Sequence, residues 1–351
     1  MLTKVILQAN IDHAEKWLER AEKIVIVTHV SPDGDALGSS LGLYHFLCGQ
    51  EKNVNVIVPN AFPDFFRWMP GAKDIIRYDK YAEFADKLIM EADVICCLDF
   101  NAFSRIAEMK DIVAASPARK MMIDHHLNPE PFCRITISHP DISSTSELVF
   151  RLICRLGYFE DITKETAECI YTGMMTDTGG FTYNSNKQEI YFIISELISK
   201  GIDKDEIYRK VFNTYSESRL RLMGYVLYEK MVVYPQFSSA LITLDAAEQQ
   251  KFHCNKGDTE GFVNMPLSIK DVCFSAFLRE DAERQMIKIS LRSVGDFPCN
   301  QVAAEFFNGG GHLNASGGEF YGPMEEAVNL FKQALVKYEK LLVAKKIVIF
   351  V

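Results

Sequence analysis

Four short segments put carboxylate and imidazole side chains where they could do chemistry together. His29-Val30-Ser31-Pro32-Asp33-Gly34-Asp35 closes the β-branched run IVIVTH, Asp99 closes VICCLD, and Asp124-His125-His126 close KMMIDHH. Asp177 lies in GMMTDTGGF, flanked by Gly173, Gly179 and Gly180. Near-continuous apolar runs read as buried strands, so three of these segments should meet at one edge of a sheet. Gly34 is expected to allow the sharp turn that points Asp33 and Asp35 inward. Four carboxylates and at least one imidazole gathered there would repel one another unless cations lay among them. An oxygen-rich set with imidazoles and no thiolate suits Mn²⁺ or Mg²⁺, and catalytic zinc or cobalt is also compatible. Two such ions roughly 3.5 to 4 Å apart, bridged by a carboxylate and a hydroxide, form the arrangement that hydrolyses phosphate esters. Taken singly, D-G-D is an ordinary turn, H-H a solvated pair and a lone Asp a helix cap. It is their order at successive strand ends that favours a site. His13, His45, His139 and His253 lack such company and read as surface or core.

A second set lies far along the chain, where Arg292 closes KISLRS and Gly309-Gly310-Gly311-His312 follows. Successive glycines can turn backbone N–H groups toward one anion, and Arg292 with His312 would add charge to such a nest. Phosphate is the expected guest. Arg105, six residues after Asp99, is a candidate clamp for a phosphate at the first site, with a solvated helix position as the bland alternative.

The elements that must position these residues follow from the pattern. IVIVTH, VNVIV, VICCLDF and KMMIDHH alternate with helical stretches such as DALGSSLGLYHFLCG and KYAEFADKLIMEA. The fold class is therefore α/β, beginning with a doubly wound parallel sheet whose ligands sit at the strands' carboxyl ends. From about 144 to 230 the chain reads as mostly helical, with Ser144 and Asp161 as caps and Gly157 and Gly201 as stops. Ser144 to Glu147 reads as a capping box. Beyond Met231 strands return (SSALITL, DVCFSAFLRE, MIKISLRS), then a helix, the loop GGGHLNASGG and a last helix at about 324 to 342, forming a smaller mixed α/β layer. The expected division is 1–195, a helical linker 196–230, and 231–351, with the site in the cleft between the domains.

The 351 residues carry 47 acidic and 38 basic side chains, a formal charge of −9. Residues 1–215 hold 31 acidic and 23 basic ones. That excess speaks against coating long nucleic acid and leaves short anionic ligands. Nine cysteines, none in C-x-x-C spacing, read as small core residues rather than disulfides or a zinc site. Neither a membrane helix nor a signal-peptide core is apparent, so the protein reads as cytoplasmic.

The ordered set His29-x-x-x-Asp33-x-Asp35, Asp99, Asp124-His125-His126 and Asp177 resembles that of the DHH phosphoesterases. Arg292 with Gly309-Gly310-Gly311-His312 resembles the DHHA1 domain that accompanies them. Length and domain content are similar to the NrnA-like oligoribonuclease and 3′-phosphoadenosine-5′-phosphate phosphatase branch, also labelled exopolyphosphatase-related. The resemblance implies one metal on His29, Asp33 and Asp99 and another on Asp35, Asp99, His125 and Asp177, with Asp99 bridging. It implies Mn²⁺, with Mg²⁺ or Co²⁺ as alternatives. Asp124 would orient the imidazoles, and His126 would contact the reacting phosphate. Hydroxide activated between the metals would attack in line, while Arg105, Arg292, Gly309, Gly310, Gly311 and His312 bind substrate. The implied substrates are short oligoribonucleotides, linear dinucleotides and 3′-phosphoadenosine-5′-phosphate, handled by a cytoplasmic enzyme with a homodimer as the implied assembly and with neither a membrane nor a long nucleic-acid track. Cyclic di-AMP and polyphosphate are the alternative substrates. Pyrophosphatase, long-strand exonuclease and a non-catalytic nucleotide sensor rank below them.

Overall fold

The structure, a computed structural model, describes residues 3–255 and 257–343. The expected outer limits at residues 1 and 351 lie outside the described residues. The chain divides into two compact units between Thr214 and Tyr215, inside the stretch read as a linker.

In the first unit α1 (Gln8–Arg20) precedes β1 (Lys23–Val27), α2 (Gly34–Gly49), β2 (Asn53–Val58), β3 (Ile76–Arg77), α3 (Tyr78–Glu91) and β4 (Val94–Leu98). Then come α4 (Met109–Ala115), β5 (Arg119–Asp124), β6 (Ile135–Ser138), α5 (Thr145–Arg155), α6 (Lys164–Asp177), α7 (Gln188–Ser199) and α8 (Lys204–Phe212). The six strands pair in parallel in the order β3-β2-β1-β4-β5-β6. The order reverses between β1 and β4, and such a switch point leaves a crevice at the strands' carboxyl ends. Alternate residues of β1 enter different cores. Ile24 and Ile26 pack with residues of α2, α5 and α6, whereas Val25 and Val27 pack with those of α3 and α4. Burial on both faces is why these strands read as continuous apolar runs. The same alternation sends Cys96 and Cys97 to opposite faces, and all nine cysteines are free thiols.

Helix ends follow the sequence with one correction. Ser144 caps α5, and Gly157 and Gly201 take left-handed φ values of +91° and +89° just past α5 and α7. Asp161 does not cap α6. Its N–H closes a turn onto the Tyr158 carbonyl, and Thr163, adjacent to the first helical residue, accepts from Thr166 N–H instead.

The second unit contains α9 (Glu217–Tyr225), β7 (Val232–Tyr234), β8 (Ser239–Leu244), α10 (Ala246–Lys251), β9 (Phe274–Asp281) and β10 (Met286–Ser293). After these come α11 (Cys299–Phe306), β11 (Gly310–His312), β12 (Ala315–Phe320) and α12 (Met324–Lys337). The sheet runs β11-β12-β10-β9-β8-β7 and is antiparallel except for the β8–β9 pair. One face is covered by α11 and α12. Among the described residues no helix is long and apolar enough to cross a membrane.

The contact that matters most for the first unit is between α2 and α6. A Cβ on Gly38 would lie 2.7 Å from Cys169 O and from Gly173 N and Cα, all backbone atoms that cannot swing aside. Gly38→Ala should therefore destabilise the protein by about 1–3 kcal/mol through overpacking. Gly49→Ala, on the same helix with nothing within 4 Å, should be neutral or slightly stabilising. Denaturant unfolding of the two variants side by side checks the pair; equal stability would contradict the close-packing account.

Candidate metal centre

His29 lies two residues past β1 and is buried. Its Nδ1 is 2.8 Å from the Val30 carbonyl, which can only accept, so Nδ1 carries the hydrogen. Nε2 then faces Asp99 Oδ2 at 3.4 Å and Asp33 Oδ2 at 3.8 Å. It is a buried nitrogen without a hydrogen-bond partner among the described residues. An imidazole lone pair aimed between two carboxylates is repulsive until a proton or a metal cation sits there. The two carboxylates hold the His29 pKa above its ordinary value even against burial, so in the metal-free protein a proton plays the cation's part.

Asp33 caps α2. Its Oδ1 accepts from Asp35 N–H and Ala36 N–H, both at 3.0 Å, leaving Oδ2 turned to His29. Asp35, in the first turn of α2, is almost wholly buried. Gly34 does not have the role expected of it. It begins α2 and has no left-handed φ, but a Cβ there would lie 2.3 Å from Thr176 Oγ1, so smallness rather than turn geometry is what the position needs.

Asp99 follows β4 with φ +62°, an uncommon conformation for a residue other than glycine and one that the fold must hold in place. Its two oxygens face different imidazoles: Oδ2 toward His29, and Oδ1 at 3.7 Å from His125 Nε2. Asp177, the last residue of α6, places Oδ2 at 3.4 Å from His125 Nε2, and Asp35 Oδ2 stands at 3.8 Å from it. Two groups of ligand-type atoms result, His29–Asp33–Asp99 and Asp35–His125–Asp177, each within 4.8 Å internally, with Asp99 touching both. The donor set fits a pair of hard divalent cations.

Asp124 is fully buried at the end of β5. Its Oδ1 accepts from His126 Nδ1 at 2.7 Å and its Oδ2 from His126 N–H at 3.0 Å. It orients His126, while His125 Nδ1 is 3.3 Å from the Ile142 carbonyl. Arg105 is half-buried, and its positive charge opposes protonation of His29. Its carbonyl accepts from Val30 N–H at 2.8 Å.

Two contributors were not anticipated. Thr145 and Ser146, at the start of α5, donate backbone N–H groups to Asp35 Oδ2 at 2.6 Å and Oδ1 at 2.9 Å, and the Thr145 hydroxyl donates to Asp99 Oδ1 at 2.9 Å. The segment Ser143-Ser144-Thr145-x-Glu147 also resembles a segment of the DHH phosphoesterases, although its S-x-x-E spacing reads first as a capping box. Only half of that box forms: the Ser144 hydroxyl accepts from Glu147 N–H, while the Glu147 carboxylate takes the N–H and hydroxyl of Ser143. Arg151 donates to the same carboxylate, so a buried ion pair anchors the helix end that holds Asp35.

In the second unit Gly310, Gly311 and His312 form an edge strand rather than an open loop. Gly309 and Gly311 are small because a Cβ would meet the carbonyls of Gly317 and Ala315 at 1.9 and 2.6 Å. Ala315 is flanked across the sheet by His312 on one side and Arg292 on the other. Arg292 and His312 thus share a face, about 10 Å apart by strand spacing. Among the described residues no carboxylate pairs with Arg292.

Residues 23–174 match the DHH family, N-terminal domain, and residues 236–340 match the DHHA1 domain. The bifunctional oligoribonuclease and PAP phosphatase NrnA of Thermus thermophilus is 31% identical over 85% of this chain and 84% of its own length. The chain belongs to the DHH family. It is a hydrolase of the DHH–DHHA1 phosphoesterase type. The Bacillus subtilis protein of the same name is 26% identical over 86% of this chain and 90% of its own. The crystal structure of an exopolyphosphatase-related protein from Bacteroides fragilis is 79% identical, with a TM-score of 0.94, covering 97% of this chain and 99% of that one.

Without cations, crowding in the DHH site shifts several of its buried groups toward their protonated forms. Burial, with Asp99 and Asp177, pushes Asp35 well above the usual carboxylate range. Burial, with Asp33 and Asp99, pushes Asp177 up to about 6. Burial would lower His125, but Asp177, Asp35 and Asp99 outweigh it and raise the imidazole to about 9. Asp99 alone shifts down, since His29, His126 and His125 overcome its burial. The raised groups favour folding most below their unfolded pKa values and lose that contribution as pH rises through about 6 and 9. Metal binding must displace the same protons, so it strengthens as pH rises. The difference in Tm between Mn²⁺-loaded and metal-free protein should widen from pH 6 to 8.5, and a difference independent of pH would contradict this charge balance.

Proposed function

We propose that this phosphoesterase hydrolyses short oligoribonucleotides and linear dinucleotides to mononucleotides, and 3′-phosphoadenosine-5′-phosphate to AMP, in the cytoplasm. The observation that carries the reading is Asp99, whose two oxygens face two imidazoles that each belong to a separate carboxylate group. Two divalent cations, with Mn²⁺ as the first choice, would supply an activated water and neutralise charge on the phosphate. His29, Asp33 and Asp99 would hold one cation and Asp35, Asp99, His125 and Asp177 the other. The two relatives named NrnA support the choice of nucleotide substrates.

The chain's own groups do the positioning. The α5 N-terminus fixes both oxygens of Asp35, so that carboxylate cannot rotate as substrate arrives. Asp124 pins His126 through Nδ1 and leaves Nε2 as the atom to contact the reacting phosphate or its leaving oxygen. Arg105 adds a positive charge beside the His29 group. Arg292, Gly309, Gly310, Gly311 and His312 are assigned to a second phosphate or nucleotide. Recognition by a few fixed charges favours short substrates, and an acidic chain gains little from a long strand.

The test is a panel with Mn²⁺, Mg²⁺ and Co²⁺: a 5′-phosphorylated dinucleotide, 3′-phosphoadenosine-5′-phosphate, cyclic di-AMP, pyrophosphate and a long single strand. Dinucleotide and 3′-phosphoadenosine-5′-phosphate should turn over fastest. Asp124→Asn should cost about 10–100-fold and Asp99→Asn more than that. Preferential cleavage of cyclic di-AMP or pyrophosphate would overturn the substrate assignment, and full activity in Asp99→Asn the site itself.

A further inference from the structure

The opposite end of the first unit's sheet carries a cavity of about 300 Å³ in which basic side chains predominate. His13, Lys16, Trp17 and Arg20 line it from α1, at the i, i+3, i+4, i+7 spacing of one helix face. Arg119, the first residue of β5, and Arg134, next to the start of β6, line it from the sheet. Asp99 and Asp124 belong to the other end. Arg119 and Asp124 are the two ends of one six-residue strand, about 17 Å apart at the usual rise.

Exposed arginines are ordinary; what marks this grouping is that the cations converge on one cavity. Lys23, which likewise begins a strand of the sheet, is paired with Glu91 at 2.8 Å. Among the described residues none of Lys16, Arg20, Arg119 and Arg134 has a carboxylate partner within 4 Å. Asp93, whose charge is felt by Arg119, is occupied with the N–H groups of Glu22 and Lys23. Four permanent cations from three elements therefore converge, unpaired, in a chain of net charge −9. Trp17 is buried beneath them, and the Arg119 guanidinium lies 5.7 Å from its ring centroid, within cation–π range. That contact restrains one arm of the cluster before any ligand arrives.

We propose that this cavity is a second, non-catalytic anion site for a ligand with two or more adjacent phosphate groups. The cavity is at the lower end of the volumes of small-molecule sites, which suits a diphosphate group. Two linked phosphates carry enough charge and oxygens to divide four cations between them, with bidentate contacts from the arginines, whereas one phosphate would leave part of the cluster uncompensated.

The test is calorimetric titration of the full chain with inorganic pyrophosphate, in EDTA and at 150 mM salt. EDTA removes the divalent cations through which pyrophosphate could bind at the carboxylate site. Trp17 emission, isolated by Trp68→Phe, reports the location. The binding that Trp17 reports is expected to saturate, to weaken at least tenfold in Arg119→Ala combined with Arg134→Ala, and to be unchanged by Asp99→Asn or Arg292→Ala. Both arginines are exposed, so the double variant should fold; circular dichroism checks it. Adenosine 5′-diphosphate binding alongside pyrophosphate points to a nucleotide source, and pyrophosphate alone to an inorganic one; either outcome supports the site. Absence of saturable binding, indifference to the double variant, or equal loss in Arg292→Ala would overturn it. Equally tight binding of inorganic phosphate would overturn the two-phosphate assignment.

Discussion

Charge crowding around Asp99 is the constraint on which the rest of the first unit depends. Its carboxylate is buried, strained in backbone conformation and set between imidazoles, with Asp33, Asp35 and Asp177 close by. Such a group of anions is stable only with compensating positive charge. In the metal-free protein the crowding raises His29, His125, Asp35 and Asp177, which favours protons as the source of that charge. Divalent cations supply it in the reading proposed for the enzyme, at fixed positions and without neutralising the ligands that the chemistry needs.

The scaffold concentrates this strain at the switch point of the sheet. Parallel pairing of β1, β4 and β5 brings His29, Asp99 and Asp124 to one edge, although some 95 residues separate the first from the last. Gly38 against Gly173 lets α2 and α6 approach closely enough for Asp35 and Asp177 to face the same imidazole. The N-terminus of α5 then supplies two N–H donors to a carboxylate that would otherwise be desolvated without compensation. Removing any of these supports leaves a buried charge exposed to its like-charged neighbours.

Much of this was legible from residue types. The six ligand candidates are side chains with distinctive chemistry, each placed after an apolar run or among glycines, and the geometry brings all of them together. What was misread involved groups that every residue possesses or that depend on packing. Thr145 and Ser146 contribute backbone N–H groups, which leave no mark on composition. Gly34 is small because of Thr176, a residue 142 positions away. The segment holding the glycines at 309–311 reads as an open loop, yet part of it is an edge strand and two of the glycines are required by carbonyls across a hairpin. Asp161 was as good a cap as Thr163 by type, and the turn onto Tyr158 decided between them.

The basic cavity marks the limit of sequence reading. His13, Lys16 and Arg20 resemble any solvated helix face, and Arg119 and Arg134 any strand-end charges. By itself the sequence determined the α/β class, the strand ends that carry the candidate ligands and the family, because apolar periodicity and side-chain chemistry are local properties. Only the tertiary structure decided which oxygen faces which imidazole, which helix end secures Asp35, and that cations from one helix and two strands share a cavity. Those relations depend on strand register and interhelical distance, which arise only when distant segments pack.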